Sequence, residues 1–498
     1  MTGRTSAASG SVAVLASFAA IAVLNYVFAI AMSWLLPVVD FGVLGVAQAI
    51  LLVGATVVSA GIPLALTREA AVDADGLRGS VLRAGLVGNV AFGIVLGAAV
   101  AAAGATGLVQ PAGAYAVPFV AVGVTIAVLA LNAALLGVLQ GTLRLGTMAV
   151  ARTVEVVVKV LAGLALVALG LGAAGAVAGF LLGAVASTAL AAARLRSLRL
   201  APGAGAGLVA LVRRAAPLFV GVSAFALLSQ ADVLALKGFT PPTVSEFLTG
   251  QYQVAVTLAR LPYFAGLALF GAVFPYVARH AGTELGGGYA RTALRYAFLA
   301  LIPATIVLAT IPDPVIRVFF SAKYDASAEG LRGAAIATGI LTIGLGLGTL
   351  LQAAGRPRLV AAVLVAAVVV QLGLASVTVP AWGMVGTAAA LGTAGLIVVV
   401  GLLPAARRAF MMKPSVGDAA AYLASLGVLG VTLLVLPTNG TLATVCSTIT
   451  GLAAYTVAIT VAGLLTSDDA RTITGAIGAP GRIAMPRITS TMDALRQR

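Results

Sequence analysis

Long apolar segments separated by short polar connections make up most of the chain. A helix needs about 20 apolar residues to cross the hydrocarbon core of a bilayer. Fourteen segments reach this length, so the pattern predicts an all-α integral membrane protein with about 14 transmembrane helices. The predicted helices cover residues 12–36, 42–66, 82–106, 116–140, 147–169, 173–193, 215–236, 248–278, 292–311, 330–354, 359–379, 384–404, 417–436 and 442–465.

Two halves of the chain also resemble each other. The matching segments are separated by a nearly constant 208 to 212 residues, which is the length of six predicted helices. An even number of helices preserves orientation, so we expect two pseudo-symmetric, parallel six-helix lobes related by an axis along the membrane normal, plus two C-terminal helices. The matches are residues 42–52 with 250–260, Leu139 with Leu351, Gln140 with Gln352, Gly172 with Gly383, and Gly175 with Gly386.

This repeat divides the chain into four predicted parts. They are an N-terminal lobe (1–200), a C-terminal lobe (201–410), helices 13 and 14 (411–465) and a cytoplasmic tail (466–498). Two lobes that face each other across a cleft suit alternating access, in which the lobes rock around a site between them.

The composition agrees with a membrane protein. Hydrophobic residues account for 61% of the chain and charged residues for 9%, with a mean hydropathy of +1.11. Soluble proteins carry about 25% charged residues, so this chain has too little polar surface to stay in water. The one Cys, Cys446, excludes an internal disulfide, and the one His, His280, argues against a His-based metal site or a Ser/His triad.

The net charge of +15 is distributed in short clusters between apolar runs, so no nucleic-acid partner is predicted. Of the 30 Lys and Arg residues, 24 fall in alternate connections or the tail, whereas Lys237, Arg317, Lys323 and Arg332 fall in the opposite connections. The positive-inside rule then places both termini in the cytoplasm. The 26 Arg against 4 Lys are typical of a GC-rich bacterial genome, so the expected location is a bacterial cytoplasmic membrane.

One arginine interrupts the apolar residues 250–279. Arg260 lies ten residues after Gly250, about 15 Å into a hydrocarbon core about 30 Å thick. A charge at the bilayer centre costs roughly 2.5–3.5 kcal/mol, so it normally faces a bundle interior or a wet cavity. We expect Arg260 to line a central substrate cavity. The alternatives are a buried ion pair between helices and a side chain that reaches the interface.

The fifth predicted helix carries Arg152, Glu155 and Lys159 at helical spacing, so the three lie on one face. This charged stripe is interpreted either as part of the cavity wall or as a self-neutralising contact between helices. A positively charged lining would attract anions such as diphosphate or carboxylate groups.

Two acidic residues, Glu155 and Asp232, fall inside predicted membrane helices. They are candidates for ion coupling or ion pairing. Asp232 lies late in the seventh helix, where it either pairs with Arg260 or marks the helix end. The corresponding position of the first repeat is near Asn25, which we also place in the candidate substrate cavity.

The chain lacks the short motifs of common enzymes. It contains no phosphate-binding P-loop, no Gly-x-Ser-x-Gly nucleophile elbow and no His-Glu-x-x-His zinc motif. The sequence "GLGAAG" at 170–175 fits Gly-x-Gly-x-x-Gly, but it lies in a predicted turn between two membrane helices. We therefore predict no enzyme activity, no catalytic residue and no cofactor.

Four segments resemble the polysaccharide-biosynthesis flippase family of the multidrug/oligosaccharidyl-lipid/polysaccharide (MOP) exporter superfamily. The likeness covers nearly the whole chain and specifies the fold better than the substrate. The segments are "LLPVVDFGVLGVAQAILLVGATVVSAGIPLALTREAA" (35–71), "LLGVLQGTLRLGTMAVARTVEVVVKVLAGLALVALGLGAAGAVAG" (135–179), "GQYQVAVTLARLPYFAGLALFGAVFPYVARH" (250–280) and "LLQAAGRPRLVAAVLVAAVVVQLGLASVTVPAWGMVGTAAA" (350–390).

The resemblance implies two lobes around a cationic cavity that moves a polyprenyl-diphosphate-linked sugar between leaflets. Arg260 matches the eighth-helix position where related flippases often carry a cavity arginine. The lipid II branch also carries arginines in its first two helices, whereas here the first helix offers Asn25 and the second has Arg68 at its end. A cell-surface polysaccharide precursor is therefore the expected cargo, with a lipid II flippase as the alternative. The expected partners are this lipid-linked sugar, membrane lipids, and glycosyltransferases or a polymerase of the same pathway.

Three alternatives remain open at this point. A drug/cation antiporter of the same superfamily would need an acidic, aromatic-lined cavity. A membrane-embedded glycosyltransferase or ligase would need acidic residues or a sizeable outer loop. A non-transporting scaffold would need no charges in a cavity.

Overall fold

The computed structural model describes residues 20–72, 79–106, 112–196, 206–412 and 416–465. Within these ranges the chain folds into helices and contains no β-strand. The first residues of the predicted first helix and the predicted tail lie outside the described residues.

Fifteen α-helices are described, and each predicted apolar segment falls within or overlaps one of them. They are α1 (Ala20–Leu35), α2 (Val38–Ala60), α3 (Ile62–Val72), α4 (Gly79–Ala105), α5 (Ala112–Gly141), α6 (Leu145–Leu166), α7 (Gly172–Arg194), α8 (Ala206–Phe239), α9 (Pro242–Arg279), α10 (Glu284–Thr310), α11 (Pro312–Phe319), α12 (Ser327–Ala353), α13 (Pro357–Ala409), α14 (Val416–Val435) and α15 (Thr441–Val461).

Eleven described segments are long and apolar enough to cross a membrane, and two of them fold back on themselves. A Cβ on Gly179 would lie 2.7 Å from the Gly163 Cα, and a Cβ on Gly401 would lie 3.0 Å from a Val363 methyl group. These distances show that Leu145–Arg194 and Pro357–Ala409 are helical hairpins. Each hairpin contains two membrane helices, so the eleven segments and the short α1 together give about fourteen membrane helices. This count confirms the predicted fold class.

The predicted second helix needs one correction. The apolar run 42–66 is divided at Gly61, where the backbone leaves helical geometry at φ −95° and ψ −99° and α3 begins. Pro63 lies in the first turn of α3, where it lacks the N–H that would continue the preceding helix. The hydropathy pattern did not predict this break, because the residues on both sides of it are apolar.

The turns of the two hairpins show the repeat in the backbone itself. Gly172 has φ 52° and ψ −143°, and its predicted counterpart Gly383 has φ 52° and ψ −123°. Residues Val167–Leu171 precede Gly172 and belong to the turn itself, because Gly170 among them has φ 87°. The offset between the repeats falls from 212 to 211 residues between Gln140 and Gly172, a stretch that includes this turn.

The two halves meet where α2 crosses α9, and equivalent residues face each other there. A Cβ on Gly42 would lie 2.9 Å from the backbone nitrogen of Gly250, its repeat counterpart. A Cβ on Gly45 would lie 2.7 Å from Oε1 of Gln253, which is also its counterpart at the same offset of 208. Contact between equivalent residues is the mark of a two-fold relationship. The pseudo-two-fold axis therefore passes between α2 and α9.

The described helices form two compact units, one holding α1 to α13 and the other α14 and α15. In the second unit the two helices pack closely. A Cβ on Gly451 would lie 3.1 Å from methyl groups of Leu429 and Leu433. The candidate site residues all belong to the first unit.

Candidate functional site

Arg260 lies at the midpoint of α9 and makes polar contacts with one stretch of α8. Its Nη2 donates to the Asp232 carboxylate, 2.9 Å from Oδ1 and 3.1 Å from Oδ2. The same nitrogen lies 2.8 Å from the carbonyl oxygen of Ser229, and Nη1 lies 2.9 Å from Oε1 of Gln230. The last turns of α8 therefore supply a carboxylate, a carbonyl and an amide to a single guanidinium group.

This ion pair is almost completely buried. The Asp232 side chain is 0% exposed and that of Arg260 is 12% exposed. The hydroxyl of Tyr252 also donates to Asp232 Oδ2, at 3.3 Å. Two buried opposite charges hold each other in place, because removing either one leaves an uncompensated charge in a medium of low dielectric constant. The structure thus brings together two of the residues singled out in the sequence.

A small cavity lies beside the guanidinium group. Its volume is about 10 Å³, and Ser229, Arg260, Tyr263, Thr338 and two leucines line it. That is about the volume a single water molecule needs, so this cavity does not hold a sugar diphosphate. The Thr338 hydroxyl, which faces this neighbourhood, has no hydrogen-bond partner within the described part of the chain.

A second polar cluster surrounds Lys159 on α6. Its Nζ donates a short hydrogen bond to Oδ1 of Asn25 on α1. The same nitrogen lies 5.0 Å from the ring centre of Phe28 and 4.8 Å from that of Phe180. Cations are attracted to aromatic faces at such distances. Lys159 is 6% exposed, and one neutral oxygen and two rings lie against its charged group.

Glu155, one turn before Lys159, interacts electrostatically with both Lys159 and Arg152. Asn132 on α5 donates to Glu155 Oε2 at 3.2 Å, and its own side-chain oxygen lies 3.3 Å from the Ser187 hydroxyl. Arg152 is exposed near the start of α6. The stripe therefore runs from an exposed cation through a half-buried carboxylate to a buried cation.

Helix α1 lies beside both clusters. Asn25 accepts from Lys159, and the next residue, Tyr26, interacts electrostatically with Arg260. The Tyr26 hydroxyl is buried, and no hydrogen-bond partner for it is found among the described residues. One helix of the first repeat therefore bonds to Lys159 and lies within electrostatic range of Arg260 in the second repeat.

Sequence reasoning missed the neutral members of these clusters. Asn132, Tyr252, Tyr263 and Thr338 are polar residues within apolar helices, and polar residues of this kind are common in the chain. Tyr263 carried a weak signal, since it lies three residues after Arg260 on the same helical face. In the described ranges, no group of three His, Cys, Asp or Glu side chains comes together as a metal site.

About fourteen membrane helices in two parallel repeats, with buried charges at mid-helix, define a multi-pass membrane transporter. The model of the polysaccharide biosynthesis protein family matches residues 8–280, which is more than half of the chain. The chain belongs to this family, within the MOP exporter superfamily of flippases and transporters. No curated protein sequence matches the chain.

Solved structures share the fold at low sequence identity. The structure of the lipid II flippase MurJ in an inward closed conformation has a TM-score of 0.71 and 15% identity, covering 90% of this chain and 97% of that one. An inward-facing multidrug resistance MATE family transporter has a TM-score of 0.64 and 14% identity, covering 78% and 94%. An outward-facing MATE family transporter has a TM-score of 0.54 and 15% identity, covering 82% and 96%.

Proposed function

We propose that the protein moves a polyprenyl-diphosphate-linked oligosaccharide, the precursor of a cell-surface polysaccharide, across the bacterial cytoplasmic membrane by alternating access. The observation that carries this proposal is the Arg260 guanidinium group at the middle of a membrane helix, bonded to both oxygens of a carboxylate. The planar donors of arginine match carboxylate and phosphate groups alike. Asp232 therefore occupies the place that a diphosphate oxygen pair takes when cargo is bound.

This exchange has an electrostatic consequence for Asp232. When the diphosphate takes Arg260, the Asp232 carboxylate loses its cation while it is still buried. A buried carboxylate without a partner is strongly unfavourable, so the exchange is favoured when Asp232 takes up a proton or another cation. Cargo release would then be coupled to ion movement. The membrane potential contributes about 2.3 kcal/mol per unit charge for each 100 mV.

The Lys159 cluster supplies a second cationic contact from the other repeat. Lys159 is bonded to the neutral Asn25, so a phosphate oxygen can replace this acceptor without leaving an unpaired charge. Arg152, exposed nearer the start of α6, would draw the anionic headgroup toward the cavity. The lipid tail stays in the bilayer, with both chain termini in the cytoplasm. Glycosyltransferases and a polymerase of the same pathway would supply and use the cargo.

The test is transfer of a polyprenyl-diphosphate-linked sugar between the leaflets of reconstituted vesicles. We expect Arg260→Ala to reduce transfer at least tenfold and Arg260→Lys to restore part of it. Arg332→Ala is the matched control, because Arg332 is an exposed arginine that donates to the Ala309 carbonyl. Full transfer by Arg260→Ala at normal membrane abundance would overturn the proposed role.

Two related functions are outcomes of the same assay. MurJ is a lipid II flippase, and the MATE family transporters with the same fold are multidrug resistance proteins. A multidrug transporter for cationic drugs needs an available acidic group, whereas Asp232 is bonded to Arg260. Vesicles offered lipid II, a cationic dye or a lipid-linked oligosaccharide distinguish the three. Transfer of the oligosaccharide alone supports the proposal, and transfer of either other compound alone contradicts it.

A further inference from the structure

The segment between α11 and α12, residues 319–327, contacts the end of α1 through hydrogen bonds across about 290 residues of sequence. Lys323 Nζ donates to the carbonyl oxygens of Leu36, at 2.8 Å, and Trp34, at 3.5 Å. The Tyr324 hydroxyl donates to the Ser33 carbonyl at 3.2 Å. In the other direction, Trp34 Nε1 donates to the Phe319 carbonyl at 3.1 Å.

The chemistry of a helix end explains these partners. The last four carbonyl groups of a helix receive no hydrogen bond from an N–H of the same helix. A buried carbonyl group without any hydrogen-bond donor is energetically unfavourable. Pro37, the second residue after α1, has no N–H to offer. Lys323 and Tyr324 supply the missing donors from the other repeat. Partial burial lowers the pKa of Lys323.

The same segment is fixed to the second repeat on its other side. Gln251 of α9 donates to the Lys323 carbonyl at 2.8 Å. The Ser327 hydroxyl, at the start of α12, lies 2.8 Å from the Gln251 carbonyl and 2.7 Å from its side-chain oxygen. Gln251 and Ser327 are both buried. The segment must therefore move with α9 and α12, not with α1.

These contacts lie at the end where α2 crosses α9. Tyr324 packs edge-on against Phe41 at a ring-centre distance of 5.7 Å, and Phe41 directly precedes Gly42 at the crossing. Helix α2 follows α1 after two residues. If α2 separates from α9, α1 moves away with α2 and its hydrogen bonds to residues 319–327 must break.

We propose that residues 319–327 form a latch that holds this end of the two repeats closed and releases α1 when the repeats separate. The latch belongs to the second repeat and acts on the first. Its action does not depend on which cargo is carried, so it stands apart from the proposed function.

The test is the accessibility of a cysteine at Ser33, a buried residue of α1 whose carbonyl contacts the latch. Ser33 is 0% exposed and its carbonyl receives the Tyr324 hydroxyl, so Ser33→Cys is a small change at a covered position. The full chain, with Cys446→Ser, is placed in lipid nanodiscs and reacted with a polar maleimide. Thr243→Cys, at an exposed position near the start of α9, gives the reference rate. Nanodiscs expose both sides, so the result does not depend on membrane orientation.

We expect Lys323→Met to raise the normalised Ser33→Cys rate about tenfold, since it removes the donor to two carbonyls. Tyr324→Phe should raise it less, and Lys323→Arg should keep it near the parent value. Arg317→Met is the matched control, because Arg317 donates to Asp325 of the same segment at 3.0 Å.

Unchanged protection in both Lys323→Met and Tyr324→Phe would overturn the latch. An equal rise in Arg317→Met would also overturn it, since loosening would then be unspecific. Gel filtration and an unchanged Thr243→Cys rate distinguish opening from unfolding. If Lys323→Met fails to fold, Tyr324→Phe, which deletes one hydroxyl group, decides the outcome.

Discussion

Gly42 and Gly250 are equivalent residues of the two repeats, and their backbones lie against each other where α2 crosses α9. A Cβ on Gly250 would overlap the Val38 carbonyl oxygen, and one on Gly42 would overlap the Glu246 carbonyl oxygen. Backbone atoms on rigid helices have little freedom to move aside. The contact is therefore possible because both positions lack a side chain.

Gly250→Ala should push α2 and α9 apart. Overpacking of this kind costs about 1–3 kcal/mol, so we expect a lower thermal unfolding temperature and faster maleimide labelling of Ser33→Cys. Gly271→Ala is the control on the same helix, because no other described atom lies within 4 Å of its new Cβ. Equal behaviour of the two variants would show that the crossing is not tight.

A double-mutant cycle distinguishes the contribution of the Arg260–Asp232 ion pair to stability from its contribution to transport. Arg260→Met or Asp232→Asn alone should destabilise the protein by about 3–5 kcal/mol, because one buried charge loses its partner. The double variant should recover much of this stability, as contacting residues are not additive. Thermal unfolding in detergent measures the cycle.

Transport should not recover with stability. We expect the double variant to remain inactive in the vesicle assay, because it lacks the guanidinium group that we propose as the diphosphate-binding group. Recovered transfer would mean that Arg260 serves only to compensate Asp232.

The backbone at the hairpin turn of α13 requires glycine. Gly383 has φ 52° and ψ −123°, a conformation that other residues rarely adopt. Gly383→Ala should therefore cost about 1–3 kcal/mol of stability. Gly373→Ala, ten residues earlier in the same hairpin, has free space around its new Cβ and should be neutral or slightly stabilising. Comparison of their unfolding temperatures checks the prediction.

The latch should respond to pH in a defined direction. The pKa of Lys323 is lowered by partial burial in the closed latch, whereas a lysine released into water has a pKa of about 10.4. The closed form therefore binds fewer protons between the two values, and raising the pH through this window favours closure. We expect the ratio of Ser33→Cys to Thr243→Cys labelling to stay constant near neutrality and to fall in mildly alkaline solution, below the pKa of about 10 of a released tyrosine. Above that pH, burial of Tyr324 raises its pKa in the closed latch and acts in the opposite direction. A rising ratio would contradict this sign.

The fold was largely accessible from the sequence because bilayer thickness sets helix length and apolar composition marks the helices. Gly172 and Gly383 were correctly paired as equivalent residues of the two repeats. Both turns require a positive φ, which favours glycine at the same position of each repeat. The break at Gly61 was missed because apolar residues continue on both sides of it.

The site was only partly accessible. A charge in an apolar run is conspicuous, so Arg260, Lys159, Glu155 and Asp232 could be named. The partners of these charged residues could not be named. Asn132 approaches Glu155, and Tyr252 approaches Asp232, only when the helices pack. The role of Lys323 and Tyr324 could not be predicted either, since a loop sequence does not reveal a contact with a helix end about 290 residues away.

Helix α1 joins two regions that were described separately. Ser33, under the latch, and Asn25, bonded to Lys159, are eight residues apart, or about 12 Å along one continuous helix. A rigid rod transmits displacement along its length, so a movement of α1 at the latch shifts Asn25 and Tyr26 as well. If the latch opens as proposed, the opening of this end and a displacement of Asn25 from Lys159 occur as one movement of a single helix.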